Sequence, residues 1–393
     1  MSEFGEHLGR VMAERGIGVR ELARQLPCNP GYLSNLRSGR KRPSRSMAAR
    51  LDELLAADGA LVVYALSFSG QTGDSHADVL NEAARRHLHD LSMAQVEALT
   101  DHLAGQWHAL VKTDNLLGPR YALGSVRTHL AAIEGLLRVV RGPARQRVLG
   151  LAARYAESAA WLHDDSGDLA AARYWAGRAM EWAVEGDERL MVSWTLFRRS
   201  QQAMASGDAA QVASLASAAR REAAGGLGGP GMAAILQQEA HACALDGAEV
   251  ECHRLLDSAD ALAAAPDDPG DASGGHGSFC TPAYLEMQRG VCWLTLRQPA
   301  KAAAVLEAAA GSLPAVYRRD RGVALSSQAA ALAAMGEPVA AATVGMRALE
   351  IARDSGSGRI LRMILPVSAG LAAHSALEEV RALQGAVTAS LAA

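Results

Sequence analysis

In the first 60 residues, apolar side chains recur three and four positions apart in four short blocks: Leu8, Val11 and Met12; Leu22, Ala23 and Leu26; Leu33 and Leu36; Leu51, Leu54 and Leu55. That spacing marks amphipathic helices that each turn one face to a shared core. Between the blocks stand "RGIGV", "PCN" and "SGRKRPSR", which leave room only for tight turns, so the pattern predicts a compact four-helix bundle. Helix two is expected near Val19 and helix three at Pro30. Asn29 fits the N-cap of helix three and Pro30 its first position, where a missing N–H is harmless. Gly39 can take the left-handed conformation that ends it.

Residues 67–77, "SFSGQTGDSHA", read as a hinge. Beyond them every long segment has helical period, and from about residue 145 the helices pair. Gly167, Gly207, Gly247, Gln298 and Gly336 each lie between two amphipathic blocks, at a period near 39 to 40 residues. Seven residues before these turns stand Ala160, Ser200, Ala240, Val291 and Ala329, and twelve after stand Ala179, Ala219, Ala259, Ala310 and Ala348. Eleven before come the apolar Ala156, Leu196, Leu236, Met287 and Leu325. Small residues at fixed places let paired helices approach closely and stack, which predicts a helical solenoid over about residues 145 to 355. A degenerate last pair from Arg359 onward is expected to cap it. Helices at about 78–90, 92–117 and 120–141 do not hold the register and read as divergent repeats or a dimerisation segment. "PDDPGDASGGHGSFCT", Pro266 to Thr281, breaks the period by about ten residues and is expected to be a mobile loop.

The expected fold is therefore all-α, with a head at 1–66, a linker at 67–77, a helical segment at 78–144 and a repeat body at 145–393. Abundant alanine and scarce aromatics agree with a helical chain. The net charge of −3 hides an asymmetry: residues 1–57 carry 10 Lys+Arg against 6 Asp+Glu, which is +4 and leaves −7 on the rest. A basic head on an acidic body points to nucleic acid at that end. Cys28, Cys243, Cys252, Cys280 and Cys292 form no metal-ligand spacing, which argues for a reducing compartment, no metal and no cofactor. With no apolar run of membrane length and no apolar signal core, a soluble cytoplasmic protein is expected.

"ELARQLPCNPGYLSNLRSG" followed by "RKRPS" resembles the helix-turn-helix of the XRE/lambda-repressor-like family, over roughly residues 4–57. The resemblance rests on Leu22-Ala23, Leu33, Leu36, Gly39 and Pro43-Ser44. The chain departs from the pattern at Pro27, where the family usually has glycine, and at Arg37, often Glu in the family. The resemblance implies that helix three enters the major groove of double-stranded DNA, with Asn29, Gly31, Tyr32 and Asn35 at base edges. It further implies Arg37, Arg40, Lys41 and Arg42 at phosphates, and a homodimer on an inverted repeat.

The body resembles tetratricopeptide repeats, and head and body together resemble the peptide-sensing regulators of the Rap/Rgg/PlcR type. That resemblance implies a concave groove lined by the first helix of each pair. Carried over, it places there Arg154, Glu157, Trp161, Trp194, Phe197, Arg198, Gln201, Gln237, Gln238, His241, Gln288 and Arg289. Such a surface suits a small-molecule, peptide or protein effector. The relatives clamp peptides with asparagines, and this chain has none after Asn115. The aromatics around Trp161 and Phe197, with Trp175 and Trp182, fit equally a core between helices.

Catalytic readings are weak. Gly226, Gly228 and Gly231 in "GLGGPG" follow no strand, as a dinucleotide site requires. "GGHG" at 274–277 lacks a partner for its histidine, "HLHD" at 87–90 is no metal set, and Asp164 and Asp165 read as helix termination. The sequence thus predicts a non-enzymatic, dimeric transcriptional regulator controlled through its helical body. The alternative is an interaction scaffold whose head no longer binds DNA specifically.

Overall fold

A computed structural model describes residues 3–26, 28–38, 41, 45–55, 91–223, 226–263 and 276–392. The chain divides into two compact units, Met1–Ala83 and Ala84–Ala393. Among the described residues the fold is all-α: eighteen α-helices and two short 3-10 turns, with no strand. The expected linker at 67–77 lies outside the described residues, as does the first helix expected beyond it at 78–90.

In the first unit, α1 (Glu3–Glu14), α2 (Val19–Gln25), α3 (Pro30–Arg37) and α4 (Arg45–Leu55) enclose one core. Ten of the apolar positions read from the pattern are buried there, while Leu54 is half-buried. Phe4 and Ala48 join them because each sits one turn from a buried leucine on its own helix. Gly5 lets α1 rest on the end of α3, where an added Cβ would lie 2.5 Å from the Arg37 carbonyl oxygen. The start of α3 follows the sequence: the Asn29 side-chain oxygen accepts the Gly31 N–H at 2.8 Å, with Pro30 at the first position.

The second unit opens with α5 (Met93–Leu117) and α6 (Pro119–Val139), which pack on α7 (Gly142–Ser166). Five helical hairpins follow: α7 with α8 (Leu169–Glu185), α9 (Arg189–Ala203) with α10 (Ala209–Glu222), α11 (Gly229–Leu245) with α12 (Glu249–Ala263), α13 (Pro282–Thr295) with α14 (Pro299–Ser312), and α15 (Arg318–Ala334) with α16 (Pro338–Ser355). Successive first helices touch, α7 to α9 to α11 to α13 to α15, as in a solenoid. The unit ends with α17 (Gly358–Gly370) and α18 (Glu378–Ala392).

The hairpin turns confirm the period and correct it by one residue in the fourth hairpin. Gly167, Gly207, Gly247 and Gly336 all have positive φ, but in the fourth turn the left-handed residue is Arg297 (φ 60°), one position before the expected Gln298. With that shift the small residue seven places earlier is Gly290, and the alanine twelve places later is Ala309. Gly290 makes room for Leu306, whose Cγ would lie 2.5 Å from an added Cβ. Ala179, Ala219, Ala259 and Ala348 are wholly buried and Ala309 is 1% exposed, so the repeat is a close-packing rule. The apolar series eleven places before the turn is interrupted, since Glu286 now falls on it.

The stack does not stay open. α17 packs on α15 and α16 and also returns to α7. The closing seam is made of backbone: Gly118 (φ 91°) has no room for a Cβ against the Ser355 carbonyl, and an added Cβ on Gly358 would lie 2.5 Å from the Ser166 carbonyl oxygen. What reads in the sequence as a capping pair therefore also closes the body on its own beginning.

Candidate functional site

In the head, Leu33 and Leu36 anchor α3 in the core, so the opposite stripe of Gly31, Ser34, Arg37 and Ser38 faces outward. Tyr32 and Asn35 flank that stripe and are half-buried. The Asn29 carbonyl oxygen is engaged by the cap, which leaves its amide NH2 as the group able to point elsewhere. The Lys41 ammonium lies 5.8 Å from the Tyr32 ring centroid, and the Lys41 backbone N–H donates to the Asn35 carbonyl at 3.0 Å. Arg37 is exposed. Arg40 and Arg42, like Pro27 and Gly39, lie outside the described residues. Ser34 is absent from the sequence-derived set, although its position three residues after Gly31 puts it on the same stripe.

In the body, α5, α6, α7, α9, α13, α15, α17 and the segment 276–279 surround a cavity of about 150 Å³. Of the residues assigned to a groove from sequence, Glu157, Trp161, Trp194, Arg198 and Gln201 line it. Arg154 stands beside it, with its guanidinium 5.4 Å from the Trp107 ring. Phe197 is fully buried and stacks on Trp194 at 4.5 Å, so it supports the wall from behind.

The remaining five are elsewhere. α11 is packed by α9, α10, α12 and α13 and has no open face, which buries Gln237, Gln238 and His241. His241 Nε2 and Gln288 Oε1 are 2.9 Å apart, and His241 Nδ1 lies 3.6 Å from Cys292 Sγ. Arg289 is held by Asp257 and Glu286, each at 2.9 Å, and by Asp260 at 3.5 Å. His241, Gln288 and Arg289 tie neighbouring hairpins together, while Gln238 donates to Gln237 on the same helix, and none of the five lines the cavity.

The rest of the wall includes Trp107 and Asp114 on α5, His276, Ser278 and Phe279, and Arg359 on α17, all outside the hairpin first helices. Tyr284 on α13 and Arg319 and Asp320 on α15 join them; these are on first helices but were not assigned to the groove from sequence. The described end of the expected mobile loop is packed, because Gly277 (φ 92°) closes onto the backbone of Gly231. Gly231 belongs to the run that formally matched a dinucleotide motif; here its missing side chain serves backbone contact at the start of α11. The His276 ring lies 5.5 Å from Trp107 and 5.2 Å from Trp194. Burial first, then Arg154, Arg198 and His108, push its pKa down to about 3, so the ring is neutral at ordinary pH.

Asp165 is not helix termination. It is fully buried, accepts from Arg319 Nη1 at 2.6 Å, Ser357 Oγ at 2.8 Å and Arg359 Nε at 3.0 Å, and so ties α7 to α15 and α17. Arg319 also donates to Asp114 Oδ1 at 2.7 Å. Burial alone would raise the Asp165 pKa; Arg359, Arg319 and the Ser357 hydroxyl outweigh it, and the net shift is downward. A second buried pair, Glu157 with Arg198 at 2.8 Å, crosses from α7 to α9. Trp161 stands among these charges, with Arg359 at 4.7 Å and Arg198 at 4.8 Å from its ring and its Nε1–H donating to Asp114 at 3.3 Å. Cations over an indole face are an attractive arrangement in a dry setting.

Residues 3–64 match a family model described as a helix-turn-helix domain. No curated protein matches the chain. The match supports a DNA-binding regulator as the kind of function, in place of an enzyme. Among the described residues, no helix is long and apolar enough to cross a membrane.

Proposed function

We propose that this protein is a sequence-specific transcriptional regulator that binds an inverted-repeat operator as a homodimer and is controlled by an effector held in its helical body. The observation that carries the reading is the pairing, in one chain, of a helix-turn-helix head with a body closed around a cavity of about 150 Å³. The outward stripe of α3 supplies the groove-reading positions, with Ser34 added to Asn35, Tyr32, Gly31 and the Asn29 amide. Arg37 and Lys41, both exposed, are placed for phosphates, and Arg40 and Arg42 belong with them by sequence. Control is a population shift, in which an effector that prefers one arrangement of the body changes the fraction of dimers able to reach both half-sites.

Selection of genomic fragments by the full-length protein at physiological salt tests this, because non-specific electrostatic binding weakens there while sequence preference survives. The expected result is an enriched inverted repeat with half-sites about one helical turn apart. Retention without enrichment would contradict it and would favour a scaffold whose head has lost specificity.

A further inference from the structure

We propose that the body cavity is a receptor for a compact aromatic amine, its ring held among Trp107, Trp194 and Phe279 and its ammonium group paired with Asp320. The proposal rests on the effector reading above for its biological meaning, but its chemistry is argued from the cavity alone.

Size sets the first bound. A cavity of about 150 Å³ matches one ring and a short substituent, since an engineered cavity of about this volume takes benzene. The wall sets the second. Its indoles and phenyl ring offer flat apolar faces that suit both an aromatic ring and a cation.

Charge accounting sets the third. Asp114, Asp165 and Asp320 share two guanidiniums, Arg319 and Arg359, while Glu157 and Arg198 satisfy each other. Asp165 takes hydrogen bonds from both arginines, and Asp114 takes Arg319. Asp320 has only Arg359 Nη2 as an ion-pair partner among the described residues, at 3.8 Å, while Arg359 Nε is committed to Asp165 at 3.0 Å. With Arg154, which stands beside the cavity and has no ion-pair partner among the described residues, the charges balance in number, but Asp320 is the wall carboxylate with no donor at hydrogen-bond distance among those residues. Burial accordingly raises the Asp320 pKa, against the pull of Arg359 and Arg319, and an arriving ammonium would restore its charged form. A half-buried acid left short of a partner is a site for a cationic donor. His276 Nε2, also buried and without a hydrogen bond, offers a second polar contact to a substituent on the ring.

The rival chemistry is an aromatic acid, which would seek Arg359 Nη2, a buried guanidinium nitrogen without a hydrogen bond. Three probes of one shape separate the cases: 2-phenylethylamine, 2-phenylethanol and 3-phenylpropionate, titrated into the full-length protein by calorimetry with tryptophan fluorescence alongside. The expected order is amine tightest, alcohol weaker and acid weakest. Asp320→Asn should weaken the amine at least tenfold and leave the alcohol within about twofold; its unfolding curve, measured beside it, shows whether the variant is folded, and the wild-type order stands independently of it. An acid that binds as well as the amine, a folded Asp320→Asn protein with unchanged amine affinity, or no binding by any probe would each overturn the proposal. Operator affinity measured with and without amine keeps the two readings apart. Amine binding with unchanged DNA affinity removes effector control and leaves the receptor; operator selection without amine binding removes the receptor and leaves the regulator.

Discussion

The head and the body bring their candidate site residues together by different means, and the difference explains what a sequence can reveal about each. In the head, α3 both anchors itself and presents the candidate reading stripe within eight residues, Pro30–Arg37. In the body, the cavity needs residues as distant as Asp114 and Arg319, which meet across 205 positions. A local pattern predicts the first arrangement; only closure of the whole stack creates the second.

Opening the body while leaving the head alone should have the largest effect. Asp165→Asn removes the charge that holds Arg319 and Arg359, leaving buried guanidiniums short of a partner. It should destabilise the second unit by about 3–5 kcal/mol. Denaturation followed by tryptophan fluorescence reports only on the body, because all six tryptophans lie between Trp107 and Trp293. A loss below about 1 kcal/mol would show that Asp165 does not hold the closure.

Acid should act on the body through its histidines of depressed pKa, His276 among them. The folded-state pKa of His276 is depressed from 6.5 to about 3, so the unfolded chain binds the extra proton between those values and stability falls as pH drops through that window. One such group contributes a slope of about 1.4 kcal/mol per pH unit. His276→Phe should flatten the pH dependence of body unfolding by one proton, and an unchanged slope would mean that the ring is not buried neutral.

On the head, Asn35→Ala should cost about 1–3 kcal/mol of discrimination against changed bases with little effect on non-operator DNA. Arg37→Ala should weaken operator and non-operator binding alike and reduce the salt slope by about one. Binding assays across two salt concentrations distinguish the two, and identical profiles would mean that α3 does not divide its labour in this way.

The smallest effect concerns the turn that the period misplaces. Arg297 holds φ 60°, where a non-glycine residue is strained. Arg297→Gly should therefore stabilise the body by about 1 kcal/mol in the same denaturation experiment. Destabilisation would mean that the arginine side chain contributes more than its backbone strain removes.

These cases also mark what was legible. The head's core followed from helical spacing because each buried leucine sits on a helix whose own turns place it, and Asn29 and Pro30 announced the start of α3. The hairpin rule was legible in its small residues, but Arg297 was not, because the sequence cue for a left-handed turn is glycine and this turn has none. Trp161, Trp194, Glu157, Arg198 and Gln201 were found by the rule that first helices line the inside. Gln237, Gln238 and His241 obeyed the same rule and still ended in the core, because α11 sits mid-stack with neighbours on every side. Asp114, His276 and Arg359 lie outside the first helices and carried no local signal, since they meet only when α17 returns to α7; Asp320 is on the first helix α15, from which the sequence assigned no groove residue.

Hydrogen exchange of the full-length protein tests the central claim most directly, comparing a selected operator with a scrambled duplex of the same length and salt. Operator DNA, and not the scrambled duplex, should slow exchange of the α3 backbone and of the residues flanking it. Equal protection by both duplexes, or none at α3, would contradict the assignment of DNA reading to that helix.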